Sequence, residues 1–259
     1  MRTLLTRLLA IVVPVIGILV AAAFFLPADF PWLPRQLLLA AIGIGGIALG
    51  EALLFRTPLA DLARRLGFVA ANRRMLLVCL AASLPMWLFL PVAAIATGST
   101  IHVAANWPAV VVGVVLVNGL AEEVIHRAFF FGRLRAQSSF LAAAGLGAVL
   151  FGAQHLYLIA TIGVPGLASV ALAVLLVWPL CRSFELGGRS IVGPAILHTS
   201  SNAAFLVFGD ASNSGLLMLH MLVVLASIYT VFLFRKPTVP APVQPAGASL
   251  NSDPGVSHV

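Results

Sequence analysis

The sequence predicts an all-α fold: a polytopic transmembrane helix bundle of about eight spans, with N-terminus and C-terminus both cytoplasmic. Three observations predict it. The chain of 259 residues is 61% hydrophobic and 9% charged, against about 25% charged in a soluble domain. Its apolar residues fall into runs of about 20, the length that crosses a bilayer. Its basic residues gather in every second connection between those runs. Barrel strands would be shorter and would alternate polar with apolar residues, which these runs do not.

Taken in order, the spans run over 8–27, 36–55, 74–97, 108–131, 139–161, 165–181, 190–208 and 214–234. Arg2 and Arg7 precede the first. Arg56, Arg64, Arg65, Arg73 and Arg74 lie between the second and third, and Arg133 and Arg135 follow the fourth. Arg182 and Arg189 lie between the sixth and seventh, and Arg235 and Lys236 follow the eighth. The other connections hold only Arg35. The positive-inside rule then places both termini in the cytoplasm. The net charge of +7 is thus read as membrane topology, and no nucleic-acid partner is expected. The first apolar run is longer than a signal-peptide core, so it is read as a retained span.

Residues 1–236 form one membrane domain. Residues 237–259, rich in Pro, Ala, Ser and Gly, read as a disordered cytoplasmic tail. Residues 58–67 place Leu59, Leu62, Ala63 and Leu66 on one helical face and Arg64 and Arg65 on another, as a short helix on a lipid surface would. A solvated loop is the equal alternative. Gly46 and Gly50 form a GxxxG in the second span, which suggests close helix packing. Cys79 and Cys181 read as apolar core residues, and two such cysteines make no disulfide framework.

The informative stretch is 118–134, NGLAEEVIHRAFFFGRL. Charges inside a bilayer cost at least a few kcal/mol and are retained for a partner or a purpose. Glu123 and Arg127 lie four apart on one helical face and form an ion pair in the favourable direction. Glu122 is turned about 100° away, free to face a cavity where burial suits a general base. The bland alternative is that all three tie helices together; the second carboxylate, left unpaired, weakens it. His126 shares a face with Glu122.

Two further clusters follow. Phe151 and His155 lie four apart in the fifth span, and His198 and Asn202 four apart in the seventh. Either pair can be interhelical glue; His198 and Asn202 can also hold an oxyanion from one face. A rise of about 1.5 Å per residue places Glu122 roughly 14 Å, His155 about 22 Å and His198 about 12 Å from the cytoplasmic ends of their spans. These depths allow convergence near mid-membrane, in a constellation suited to peptide hydrolysis. No HExxH or GxSxG occurs, and Asp29, Asp61, Asp210 and Asp253 all fall outside spans or at their ends, which disfavours zincin, serine-elbow and aspartyl mechanisms.

EExxxR (Glu122, Glu123, Arg127), FxxxH (Phe151, His155) and HxxxN (His198, Asn202), in this order on separate spans, resemble the CAAX-protease and bacteriocin-processing family. It is also called the Abi family of intramembrane proteases and includes type II CAAX prenyl endopeptidases. The resemblance implies an intramembrane endopeptidase. In it Glu122 and His155 activate water, His198 and Asn202 form the oxyanion site, and Glu123 and Arg127 support the site. It leaves a metal open: Glu122, His155 and His198 would be the zinc set. No cofactor is favoured, because the sequence displays no support for the histidines' second nitrogens. The expected partners are membrane lipids and a peptide or membrane-protein substrate, lipidated or not. A non-catalytic immunity or scaffold protein and a small transporter are the rival readings. Against a transporter, Pro165, Gly193 and Pro194 lie near span ends rather than at mid-membrane.

Overall fold

A computed structural model of the chain describes residues 2–27, 29–98, 100, 102–209 and 214–234. The described residues contain helices and no strand. They are α1 (Arg2–Phe25), α2 (Trp32–Leu54), α3 (Leu59–Arg65), α4 (Arg73–Ala96), α5 (Trp107–Leu134), α6 (Phe140–Ile162), α7 (Val164–Leu186), α8 (Val192–Phe208) and α9 (Ser214–Tyr229). A 3-10 turn, Thr230–Leu233, continues α9. The expected tail at 237–259 lies outside the described residues, as do Arg235 and Lys236.

Seven of these helices are long and apolar enough to cross a membrane, where the sequence suggested eight spans. The difference is α8, at 17 residues. Its rise of about 26 Å falls just short of a hydrocarbon core of about 30 Å. Protein contacts rather than lipid set its start. Ile191 N–H donates to Gly67 O at 3.0 Å, and Ser190 Oγ donates to Val69 O at 2.7 Å. Gly67 adopts φ +79°, a conformation that glycine reaches without strain. By contrast α7 runs five residues past its expected end at 181, because Ser183 and Phe184 stay buried against the bundle. Asn72 caps α4 by accepting from Arg74 N–H at 2.9 Å, and Ser139 caps α6 through Ala142 N–H at 3.2 Å.

The GxxxG packs α2 against α1. A Cβ placed on Gly46 would lie 2.7 Å from Val15 Cγ2, and one on Gly50 would lie 2.5 Å from Ile11 Cγ2. Overpacking of this kind typically costs about 1–3 kcal/mol. Gly50→Val is therefore expected to lower thermal stability, and Ile11→Ala to restore part of it; additive losses in melting temperature would refute this contact.

The short helix expected near 58–67 is present as α3, with Leu59 81% exposed and Leu66 buried. Its start is pinned by a residue the sequence analysis passed over. Glu51, buried at the end of α2, ion-pairs with Arg133 at the end of α5 and accepts from Thr57 Oγ1 at 2.7 Å. Arg133 Nε donates to Glu51 Oε1 at 2.9 Å, and the guanidinium stacks 4.2 Å over Phe55.

At the centre is α5. Every residue from Ala121 to Gly132 is buried, and Phe129, Phe130 and Phe131 fill the core around it. Its backbone departs from the regular α-helix that the 100° argument assumed. Val115–Ala121 and Val124–Phe131 are π-helical, leaving only Glu122 and Glu123 between them in α geometry. Such widened turns are rare and concentrate at functional sites. They occur where α5 meets α8 closely. A Cβ on Gly119 would lie 2.5 Å from Thr199 Oγ1 and 3.5 Å from Ala195 O. Only a residue without a side chain admits that approach, and it brings the two glutamates alongside His198.

Candidate active site

Glu123 and Arg127 are both fully buried, with Arg127 Nη1 3.1 Å from Glu123 Oε1. The sequence pairing thus stands, and it has a second member. His198 Nδ1 lies 2.7 Å from the same Glu123 oxygen. A carboxylate accepts, so Nδ1 carries the proton there. Glu123 therefore holds both the charge of Arg127 and the ring orientation of His198.

The Nδ1 bond leaves Nε2 of His198 as its second functional atom. Nε2 stands 3.7 Å from Glu122 Oε2, beyond direct hydrogen-bonding distance. Glu122 is 6% exposed. Its Oε2 accepts no hydrogen bond from the protein, while its Oε1 accepts from Gln154 Nε2 at 3.3 Å. Adjacent carboxylates thus occupy unlike surroundings. Glu123 meets Arg127 and His198 through Oε1 alone and its Oε2 also accepts no hydrogen bond, whereas the open Oε2 of Glu122 faces an imidazole.

Gln154 is the site residue that sequence reasoning missed. Its Oε1 meets His126 Nε2 at 2.9 Å, so with the amide donating to Glu122 the order runs His126, Gln154, Glu122. The signal was present in FGAQH: a glutamine inside an apolar span, next to a histidine already singled out. His126, which shares a helical face with Glu122, is bridged to it by this amide.

Phe151 is the packing hub. Its ring lies 4.7 Å from that of His126, 4.6 Å from His155 and 5.8 Å from His198. Arg127 stacks over it at 4.9 Å, so the phenylalanine of FxxxH shares in meeting a buried cation. His155 occupies the last residue of the regular helix Phe140–His155, which turns at Leu156 before resuming. It is half-buried, and its Nδ1 bonds the Phe151 carbonyl at 2.7 Å. That fixes the tautomer with Nε2 unprotonated. His155 reaches the cluster through the Phe151 ring. Asn202, half-buried on α8 one turn beyond His198, stands outside the side-chain network that joins Gln154 to Glu122 and His198 to Glu123.

The second nitrogens of both histidines do have partners, Glu123 and the Phe151 carbonyl, which the sequence alone did not display. Yet among the described residues no three His, Cys, Asp or Glu side chains are grouped to hold a metal ion. The arrangement does not fit the Glu122, His155 and His198 zinc set, and no step below runs through a metal. Cys79 and Cys181 are buried and unpaired, as expected of core residues.

The fold and this cluster define a multi-pass helical membrane protein with a buried carboxylate–imidazole site. Residues 104–204 match the family described as type II CAAX prenyl endopeptidase Rce1-like. That segment contains Glu122, Glu123, Arg127, Phe151, His155, His198 and Asn202, and over it the chain is similar to the CAAX-type membrane proteases. No curated protein matches the chain.

Proposed function

We propose that the chain is an intramembrane endopeptidase in which Glu122 is the general base and no metal takes part. The observation that carries this reading is the open Glu122 Oε2, buried and 3.7 Å from His198 Nε2. A buried acceptor without a donor is costly unless water or substrate supplies one.

Glu122 takes a proton from water as the water oxygen bonds to the scissile carbonyl carbon. The carbonyl electron pair moves onto oxygen. The oxyanion pair then re-forms the carbonyl as the C–N bond breaks, and Glu122 returns its proton to the departing amide nitrogen. His155 Nε2, unprotonated, accepts from the second water proton and orients the nucleophile. The oxyanion needs donors. The Asn202 amide donates without any proton bookkeeping, whereas His198 can donate from Nε2 only when its ring carries both protons. Asn202→Ala is therefore expected to lower kcat by about 10²–10³-fold, as loss of an oxyanion donor does elsewhere.

Gln154 acts as a positioning residue, holding one Glu122 oxygen so that the other faces the nucleophile. Gln154→Leu should reduce kcat about tenfold with KM within twofold, and Gln154→Asn should recover part of it. A KM effect alone would remove Gln154 from this role.

The family match supports a CAAX-type substrate, a peptide or membrane protein whose prenylated end lies in the bilayer beside the site. The test uses the reconstituted protein and an internally quenched, farnesylated CAAX peptide. Cleavage lost in Glu122→Gln and His155→Ala with the fold intact supports the reading. Undiminished cleavage in Glu122→Gln refutes the general base. If the wild type leaves that peptide intact, comparing membrane peptides from cells carrying wild type and Glu122→Gln separates a different substrate from a non-catalytic protein.

A further inference from the structure

The helices α4 and α9 border an apolar groove of about 650 Å³ that none of the candidate site residues lines. Leu77, Ala81 and Pro85 of α4 form one wall, and Ala226, Thr230 and Leu233 form the other. Behind it the two helices pack through Val78, Ala82 and Met86 against Val224, Ile228 and Val231. The small side chains at 81 and 226 leave the hollow on the outer side. From Arg74 to Pro85 the groove follows α4 for about 17 Å, close to one leaflet's share, about 15 Å, of the hydrocarbon core.

One end of the groove is polar in a particular way. Phe234 closes it, with Arg74 placed 5.7 Å over its ring and Arg182 Nη2 donating to its backbone carbonyl at 3.3 Å. Two guanidinium groups therefore meet at one residue. Neither has an acidic partner among the described ion pairs. Arg182 Nε, buried, has no acceptor. Arginine stays charged at any physiological pH and matches phosphate geometry. An apolar slot one leaflet deep, ending in two unneutralised guanidinium groups, suits an amphiphile with an acyl chain and an anionic phosphate head. The positive-inside expectation puts this end at the anionic leaflet, where each basic residue adds to the attraction.

We infer that this groove is a binding site for one anionic phospholipid, its acyl chain along α4 and α9 and its phosphate held by Arg74 and Arg182. The site is separate from Glu122 and independent of the proposed chemistry. The test is native mass spectrometry of the full chain with phosphatidylglycerol or phosphatidylcholine of identical acyl chains. The wild type should retain one phosphatidylglycerol at least tenfold better than phosphatidylcholine. The double variant Arg74→Gln with Arg182→Gln should reduce that preference below twofold. In parallel, phosphatidylglycerol carrying a photoreactive diazirine in its acyl chain should label wild-type peptides from 74–85 and 226–234. Equal retention of the two lipids by the wild type overturns the inference. So does a preference unchanged in the double variant, or labelling confined to other helices, the outcome expected if residues 235–259 cover the groove. The labelling uses the wild type alone, so the inference stays falsifiable if the double variant does not fold.

Discussion

Glu122→Gln is expected to lower the cleavage rate by about 10²–10⁴-fold, the range supplied by a positioned acid–base group, while leaving the melting temperature nearly unchanged. The two halves of this prediction have one structural cause. Glu122 Oε1 accepts from Gln154, and the oxygen of a glutamine side chain can accept the same bond. Oε2 accepts nothing from the protein, so the substitution takes away no structural contact there. What disappears is the ability to remove a proton from water. The measurement pairs turnover in proteoliposomes with thermal unfolding in detergent. A large fall in melting temperature would show Glu122 to be helix glue after all, and a small fall in turnover would show that another group is the base.

Arg127→Leu is expected to do the opposite: it should unfold the protein. Removing one partner of a buried ion pair leaves an uncompensated charge and costs about 3–5 kcal/mol. Here Glu123 would stay buried with only His198 against it, and Phe151 would lose the guanidinium stacked on its face. Glu123→Gln combined with Arg127→Leu removes both charges and should recover much of the loss. The coupling is read from a double-mutant cycle of melting temperatures. If the double variant is as unstable as the sum of the two single ones, the pair carries no coupling and its assigned role fails. Two neighbouring glutamates should thus answer to different assays, Glu122 to turnover and Glu123 to stability.

The division between them was partly legible in the chain. An (i, i+4) spacing puts Glu123 and Arg127 on one face in any helix, and the 3.1 Å contact follows. The presence of π-helical turns on either side of Glu122 and Glu123 was not legible. Those turns accompany the approach of α5 to Thr199 and Ala195 at Gly119, and a glycine in an apolar run does not announce which helix it will meet. Gln154 and Glu51 were missed for a related reason. Each is a single polar residue whose role appears only when a partner from another helix, Glu122 or Arg133, is set against it.

Span length shows the same boundary. Hydropathy located the membrane helices because every lipid-facing residue reports the solvent it meets. It placed the end of α7 five residues early and found α8 to within two residues, where the start answers to buried neighbours such as Gly67 and Val69 rather than to lipid. The sequence by itself determined that the chain is a helical membrane protein, that Glu123 belongs to Arg127, and which three helices carry the EExxxR, FxxxH and HxxxN motifs. These are local properties, written in composition and in the helical repeat. Only the tertiary structure decided that His198 shares Glu123 with Arg127, that Gln154 joins His126 to Glu122, and that Phe151 gathers three imidazoles around one ring. These contacts join helices far apart in the chain, and their distances depend on packing that no single helix specifies.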